Sequence, residues 1–235
     1  MDSRERALLG GVEIFAELDE RALDEVLRTA HRRRVGKGET VFRQGEEAQS
    51  FYVLVDGRLK VTQVTPEGQQ VVVRFMGPGE MFGCVAVFGG RRYPGTATAV
   101  EDTRMLGWTK GATQHLMERH PRLAMNTLGT VGGRLQESQA RVRELSTERV
   151  ERRIAHALLR LAGQAGKPVG SGIRIDFPIS RQDVAEMTGT TLHTVSRTLS
   201  AWEEQGIVES GRQKITIRKP DALLAIAEDQ PTPAR

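Results

Sequence analysis

The amino-acid sequence predicts an α+β fold made of an N-terminal antiparallel β-roll, a long helix and a C-terminal winged helix-turn-helix. Three observations predict it. Short strand-like runs separated by glycines fill residues 35–109, and apolar residues recur three and four apart over residues 124–145. Residues 179–217 follow the pattern helix, tight turn, helix and hairpin. With 235 residues the chain is long enough for about two domains with their own cores.

The composition is typical of a globular protein in water. Hydrophobic residues make up 38% of the chain and charged residues 27%, and the formal net charge is only +4. Arginines nevertheless cluster near residues 28–34 and 141–153, which fits local contact with phosphates or, equally, solvated helix faces. The charged N-terminus has no signal-peptide core, and no apolar run is long enough to span a membrane. We therefore expect a cytoplasmic protein with no membrane partner.

The N-terminal part divides into a helical segment and a β-rich segment. Residues 1–30 are predicted to be helical, because apolar residues such as Ile14 and Val26 recur at helical spacing. From Val35 to about Thr109 the evenly spaced strand signals predict an antiparallel sandwich or roll. Asp56-Gly57 predicts a hairpin turn, and Pro66-Glu67-Gly68 predicts the next one.

Helix returns at about Lys110, pauses at His120-Pro121 and continues to about Ser146. The long helix carries a heptad pattern of mainly apolar residues, which predicts pairing with a second copy, whereas packing on the chain's own β-domain is the alternative. The predicted dimer seam consists of Leu128, Val131, Leu135, Ser138, Val142 and Leu145. A helix over Thr147–Ala165 and a loop, GQAGKPVGSG, follow. The predicted domains are residues 1–112, 113–146 and 147–235.

A segment near the C-terminus, ISRQDVAEMTGTTLHTVSRTLSAWEEQGIVESGRQKITI, carries the strongest functional pattern. Ser180 is a favourable N-cap for a helix over residues 181–188, and Gly189 allows the left-handed turn that follows. Thr191 is predicted to cap a second helix that runs to about Glu204. This arrangement predicts that the second helix enters the major groove of DNA.

Two short apolar runs after this helix predict a two-stranded wing. They are Ile207–Val208 and Ile215–Ile217, joined around Gly211. Short polar and basic side chains on the second helix and the wing are the candidates for DNA contact. The predicted contact residues are Arg181, Thr191, His193, Thr194, Ser196, Arg197, Arg212 and Lys214.

The order of these modules resembles the cyclic AMP receptor protein/FNR superfamily of bacterial transcription regulators over almost the whole chain. The motifs that carry the resemblance are YVLVDGRLKV, GPGEMFG and ISRQDVAEMTG…TVSRTL…EEQGIV. It implies a cyclic-nucleotide-binding-like β-roll that senses a small signal. It also implies a homodimer that binds a two-fold-related site on double-stranded DNA and recruits or blocks RNA polymerase.

The resemblance also places residues in the recognition helix. Family members carry a Glu, a variable small residue and an Arg at the base-contacting positions, where this chain has His193, Ser196 and Arg197. Arg197 is predicted to read a guanine in each half-site. His193 departs from the family's Glu, because a neutral imidazole does not accept a hydrogen bond from cytosine as a carboxylate does. Threonines 191 and 194, which cap the helix in the alternative interpretation, are assigned with Arg181 and the wing cations to the DNA backbone.

The effector site departs from the cyclic-nucleotide pattern. Family members that bind cyclic nucleotides use Gly-Glu-Leu followed by Arg-Ser-Ala, and this chain has Gly83-Cys84-Val85 and Tyr93-Pro94-Gly95 instead, so both charged anchors are absent. This argues against cyclic AMP, although Arg91 or Arg92 would replace the missing cation in an alternative. The predicted effector-pocket residues are Gly83, Cys84, Val85, Arg92, Tyr93, Thr96 and Ser138.

The stretches YPGTA and HTVSR are most similar to the nitric-oxide-responsive denitrification branch of the superfamily, which makes haem a candidate cofactor. Its candidate axial ligands are His31, His115, His120 and His156, with Cys84 and nearby methionines. A single cysteine argues against an iron–sulfur cluster. Cys84 is a redox sensor if exposed and a small core residue if buried. No P-loop, HExxH or CxxC motif is present, so an enzyme with a DNA-binding appendage is the least favoured function.

Overall fold

The computed structural model describes residues 3–84 and 92–229. The chain falls into two compact units, one formed by Met1–Gln63 and Met76–Gln139, the other by Val64–Phe75 and Ala140–Arg235. The predicted α+β fold, with an antiparallel β-domain, a long helix and a helix-turn-helix, is confirmed. Within the part that the structure describes, no helix combines the length and the apolar character needed to cross a bilayer.

The predicted N-terminal helix is interrupted. Helix α1 covers Ser3–Gly10, a 3-10 turn covers Glu13–Phe15, and helix α2 covers Glu20–Thr29. The Asp19 side chain caps α2 by accepting a hydrogen bond from Ala22 N at 2.8 Å. The helical spacing of apolar residues did not reveal this break, because the turn residues Ile14 and Phe15 are buried in the same core as α2.

The described residues of the β-roll form eight strands in two antiparallel sheets, ordered β1-β8-β3-β6 and β2-β7-β4-β5. Inward-facing apolar residues from most of these strands pack in its interior, among them Leu54, Leu59 and Met105. The bounds are β1 His31–Val35, β2 Thr40–Phe42, β3 Ser50–Asp56, β4 Leu59–Val64, β5 Gln70–Met76, β6 Met81–Phe82, β7 Thr96–Ala99 and β8 Thr103–Thr109.

The hairpin predicted at Asp56-Gly57 is wrong. Strand β3 pairs with β6 and β8, whereas β4 pairs with β7 in the other sheet, so this turn carries the chain from one sheet to the other. Gly57 has φ of +87°, and a Cβ there would lie 2.4 Å from the Asp102 carbonyl oxygen. The glycine therefore marks a close approach of two backbones. The second predicted hairpin, at residues 66–68, does join neighbouring strands, β4 and β5.

A second core covers the outer face of the first sheet. Phe51 and Trp108 stack with ring centroids 5.0 Å apart, and the indole Nε1 of Trp108 donates to Val26 O at 2.8 Å. Helices α1 and α2, with Leu116 of helix α3 (Lys110–Arg119) and Leu123 of helix α4 (Pro121–Thr147), also contribute apolar residues to this core. The pause predicted at His120-Pro121 separates α3 from α4.

The second unit contains the C-terminal elements. They are α5 Val150–Ala165, β9 Gly166–Val169, β10 Gly172–Ile175, α6 Arg181–Thr188, α7 Leu192–Glu204, β11 Val208–Gly211, β12 Lys214–Ile217 and α8 Pro220–Glu228. Helix α5 thus begins three residues later than predicted.

The loop predicted over GQAGKPVGSG is wrong, because β9 and β10 form a hairpin there. Strand β10 also pairs with β12, so the wing belongs to a four-stranded sheet ordered β11-β12-β10-β9 rather than to a two-stranded ribbon. The wing turn lies at Arg212 and Gln213, one residue beyond its predicted position, because Gly211 is still paired with Lys214.

Candidate nucleic-acid interface and sensor site

The helix-turn-helix forms as the local sequence dictates. Ser180 and Asp183 make a reciprocal capping box at the start of α6, with Ser180 Oγ accepting from Asp183 N at 3.0 Å. Gly189 ends α6 in the left-handed conformation at φ 61° and ψ 42°. Thr191 then caps α7, its hydroxyl accepting from Thr194 N at 3.1 Å. The predicted capping role of Thr191 is confirmed, and the hydroxyl of Thr194 lies 2.9 Å from that of Thr191.

Helix α7 has a buried face and an open one. Val195 and Leu199 have no exposed surface, and Trp202 is 4% exposed, so they anchor the helix in the second unit's core. His193 and Arg197 are exposed and Ser196 is partly exposed. The three residues assigned to base contact therefore lie on accessible positions of one short helix, as a recognition helix requires.

The wing presents its cations at its turn. Gln213 has φ of +58°, and Arg212 and Lys214 on either side of it are exposed. Arg218, further along, forms an ion pair with Glu209. The turn therefore carries two exposed cations.

Arg181, a predicted DNA contact, has charged and polar partners inside the protein. Its Nη2 donates to Ser210 Oγ at 2.6 Å and lies 3.6 Å from Glu203 Oε2. Glu203 Oε1 in turn accepts from the backbone N and from the hydroxyl of Ser210, at 2.7 and 2.6 Å. Sequence reasoning missed Glu203 and Ser210, because the residues that meet here are 22 and 29 positions from Arg181 and no spacing rule connects them.

The predicted seam on α4 is open to solvent in the single chain. Leu128 and Leu135 are each 59% exposed and Val142 is 64% exposed. Val131 and Leu145 are 37% and 40% exposed, and Ser138 is also exposed. Large apolar side chains that recur on one side of a helix and remain exposed indicate a surface that another protein covers.

The interior of the β-roll next to the predicted effector pocket is filled by aromatic rings. Tyr93 is 5% exposed and stacks on Phe42 with centroids 3.7 Å apart, and Phe42 also stacks with Tyr52. The hydroxyl of Tyr93 donates to Ser50 O at 2.7 Å and accepts from Ser50 N at 3.2 Å. Burial raises the pKa of Tyr93, so the phenol keeps its proton and remains a donor. Gly83 has φ of +71° and lies against this ring system.

Of the other predicted effector residues, Arg92 and Thr96 bond to two adjacent residues of the β-roll, Gly45 and Gln44. Arg92 is exposed and its Nη1 donates to Gly45 O at 2.6 Å, while Thr96 Oγ1 accepts from Gln44 N at 3.0 Å. Ser138 lies on α4. The predicted residue Val85 and the alternative cation Arg91 lie outside the described residues.

Cys84 borders a small apolar cavity under the outer face of the roll. The cavity measures about 210 Å³ including the space open to solvent. Cys84 is half-buried, and Arg134, which sequence reasoning missed, places Nη1 3.7 Å from its Sγ and donates from Nη2 to Met81 O. The lining residues are Ile14, Phe51, Met81, Cys84, Thr113, Met117, Leu123 and Thr127.

The candidate haem ligands are dispersed. His31 lies on β1, and burial, reinforced by the nearby Arg33, lowers its pKa. His115 is exposed on α3, while His120 lies 3.2 Å from Glu25 Oε2 and His156 lies 3.6 Å from Glu148 Oε2. Among the described residues no three His, Cys, Asp or Glu side chains are grouped as a metal site would require. None of these four histidines lines the cavity at Cys84.

Comparison with known proteins agrees with both halves of this arrangement. Residues 32–120 match the model of the cyclic nucleotide-binding domain, and residues 152–226 match the Crp-like helix-turn-helix domain. Together the two models match more than half of the chain. The chain belongs to the cyclic AMP receptor protein/FNR family of DNA-binding transcription regulators.

Relatives match the chain over nearly its whole length. The cyclic AMP receptor protein of Thermus thermophilus is 31% identical over 92% of this chain and 97% of its own. The fumarate and nitrate reduction regulatory protein of Salmonella typhimurium is 26% identical over 89% of this chain and 84% of its own. The structure of FixK2 from Bradyrhizobium japonicum has the same fold, with a TM-score of 0.74, 24% identity, and coverage of 87% of this chain and 99% of that one.

Proposed function

We propose that this member of the family is a homodimeric, sequence-specific transcription regulator whose two α7 helices read a two-fold-related DNA site. One observation carries the proposal: His193, Ser196 and Arg197 lie on the accessible side of a helix whose other side is anchored by buried Val195 and Leu199. The exposed wing cations Arg212 and Lys214 supply charge for the adjacent phosphates. Thr191 and Thr194 lie at the N-terminus of α7.

Dimer formation through α4 is part of this proposal. The exposed apolar residues 128, 131, 135, 142 and 145 follow a heptad pattern, and burying them against their own copies removes their surface from water. Two recognition helices related by a two-fold axis must lie about 34 Å apart to reach successive major grooves. A change along the seam is then a route by which the β-roll alters DNA affinity.

We assign the signal to nitric oxide or to redox state rather than to a cyclic nucleotide. Cys84 occupies the position of the family's ribose-binding Glu, and Tyr93 that of its phosphate-binding Arg. Tyr93 is buried, stacked and hydrogen-bonded, so its side chain fills space that an anionic ligand would need. The YPGTA and HTVSR stretches support the nitric-oxide-responsive branch.

A cyclic nucleotide remains the second candidate, because the relative at 31% identity is named a cyclic AMP receptor protein. Arg92 is exposed and its Nη1 donates to the carbonyl oxygen of Gly45, so a phosphate oxygen is an alternative acceptor for this guanidinium. Calorimetry with cyclic AMP and cyclic GMP at millimolar concentration separates the two signals. A visible absorption spectrum of protein purified without air tests haem, for which a Soret band is the positive result.

The other parts of the proposal follow from DNA binding. The protein acts by binding rather than by catalysis. It works in the cytoplasm, where bacterial DNA lies, and it recruits or blocks RNA polymerase. We keep residues 1–112 as the sensor domain, 113–146 as the dimerisation helix and 147–235 as the DNA-binding domain. By analogy with the family, the β-roll senses a small molecule, a gas or a change in redox state.

Selection from a pool of genomic fragments tests the function directly. We expect the purified protein, with or without air, to enrich a set of fragments that share one two-fold-related motif. The affinity for these fragments should fall as salt concentration rises, because phosphate contacts release counterions. No salt-dependent enrichment under either condition would contradict the proposal.

A further inference from the structure

We infer that Glu203, Ser210 and Arg181 form a latch that fixes the wing against the recognition helix, so that Arg181 is a positioning residue and not a phosphate contact. The inference deepens the proposed DNA-binding function and rests on it. Its three members lie on three elements: Arg181 begins α6, Glu203 lies at the end of α7, and Ser210 lies in strand β11.

The carboxylate of Glu203 is the centre of the latch. Its Oε1 accepts two hydrogen bonds from Ser210, one from the backbone N at 2.7 Å and one from the hydroxyl at 2.6 Å. Hydrogen bonds to an ionised acceptor are shorter and stronger than neutral ones, and both distances fit that class. The backbone bond holds strand β11 itself and not merely a side chain.

Arg181 closes the latch from the other side. Its Nη2 donates to Ser210 Oγ at 2.6 Å and lies 3.6 Å from Glu203 Oε2. The two charged side chains are about a third exposed, at 33% and 30%, so solvent screens the ion pair and the hydrogen bonds provide most of the constraint. The positive charge of Arg181 therefore faces a carboxylate in the protein.

The latch lies next to the cations that the proposal assigns to DNA. Ser210 is two residues before Arg212, and Gly211 pairs with Lys214 across the wing. Holding Ser210 on the end of α7 thus fixes the distance between the wing cations and the base-reading side of the same helix. Loss of the latch is expected to leave the wing folded, because β12 is also paired with β10, but to loosen its position.

Salt dependence distinguishes a latch from a phosphate contact. Each phosphate contact that is lost lowers the slope of log affinity against log salt by about 0.9 on duplex DNA. A side chain that acts only by positioning changes affinity without changing that slope. The experiment measures affinity for a wild-type-selected duplex at several salt concentrations, with Arg181→Ala, Ser210→Ala, Glu203→Ala and Arg212→Ala variants of the full chain.

We expect the three latch variants each to weaken binding by about tenfold, the size of one charge-assisted hydrogen bond, with an unchanged salt slope. The Arg181→Ala/Glu203→Ala double variant should be no weaker than the worse single variant, because both remove one network. Glu203→Gln should restore much of the affinity, since the amide oxygen still accepts from Ser210. Arg212→Ala should lower the slope by about 0.9 per chain.

Glu204→Ala is the matched control, because Glu204 is exposed on the same helix and its loss changes net charge equally. The latch is overturned if Arg181→Ala changes the salt slope as much as Arg212→Ala does. It is also overturned if the losses of affinity in the double variant add up, or if Glu204→Ala weakens binding as much as Glu203→Ala. Ser210→Ala removes only one oxygen atom and no charge. It therefore still tests the latch if Arg181→Ala or Glu203→Ala fails to fold. A wild type that binds no duplex overturns the proposed function and the latch together.

Discussion

Arg197 lies between two anchoring residues of α7 yet is itself exposed, while Val195 and Leu199 have no exposed surface. Its planar guanidinium can donate two parallel hydrogen bonds to O6 and N7 of a guanine. Replacing it by alanine should cost about 1–3 kcal/mol of discrimination at one base pair in each half-site. Lysine, which cannot donate in the same two-pronged geometry, should restore affinity more than specificity.

Binding of Arg197→Ala and Arg197→Lys to a panel of single-base variants of the selected site measures this. Arg212→Ala provides the contrast, because a lost phosphate contact should weaken all sequences alike. If Arg197→Ala keeps the wild-type order of preference, Arg197 does not read bases and the orientation that we assign to α7 is wrong.

Tyr93 is a second single residue with a testable role, because it is buried in the β-roll. Its hydroxyl is the hydrogen-bonding partner of both the N and the O of buried Ser50. Tyr93→Phe leaves those two groups without that partner and should lower the free energy of unfolding by about 1–3 kcal/mol. Urea unfolding measures this change, with Tyr52→Phe as control, since the Tyr52 hydroxyl accepts a longer hydrogen bond from Arg33, at 3.4 Å. Equal stability of Tyr93→Phe and wild type would show that this ring is not a structural part of the roll.

At the scale of elements, the solvent-exposed apolar side of α4 gives the most direct test. Leu135 is 59% exposed in the single chain, and we expect the seam to bury it against a second copy. An aspartate there places a charge in that seam and should convert the dimer into monomers. Gln136→Asp, which adds the same charge one residue outside the seam, should leave the dimer intact. Sedimentation equilibrium compares the two variants, and a dimer that survives Leu135→Asp would point to another interface.

Elements with local signals were predicted from the sequence, and elements with distant partners were not. The capping box at Ser180, the left-handed Gly189 and the cap at Thr191 are decided by neighbouring residues, and all three form as expected. The β9–β10 hairpin contains glycines and a proline and therefore resembles a loop. It becomes part of a sheet only because β12, more than 40 residues later, pairs with β10.

The same distinction applies to the candidate site. Exposure of His193 and Arg197 follows from helical periodicity, so the sequence was sufficient for it. Arg181 was assigned to the DNA backbone together with the wing cations, and only the folded chain brings Glu203 and Ser210 to it. In the effector site the sequence revealed the missing charged anchors, but the stacking of Tyr93 on Phe42 depends on the pairing of strands.

At the scale of the whole molecule, the chain combines a β-roll that lacks the family's charged cyclic-nucleotide anchors with a helix-turn-helix that exposes His193 and Arg197. The β-roll places Cys84 beside Arg134 and an apolar cavity, while the second unit presents Arg197 on a latched and capped scaffold. A homodimer would set two such scaffolds at a fixed separation. The spacing of the two half-sites on DNA is therefore a property of the whole protein.

Affinity for duplexes that differ only in the distance between two identical half-sites measures that property. We expect the tightest binding when the half-site centres are one helical turn apart, about 10 to 10.5 base pairs. Inserting about five base pairs should lower the affinity steeply, because it moves one half-site to the opposite side of the helix. Equal affinity at every spacing, or for a duplex with a single half-site, would contradict a pair of two-fold-related recognition helices.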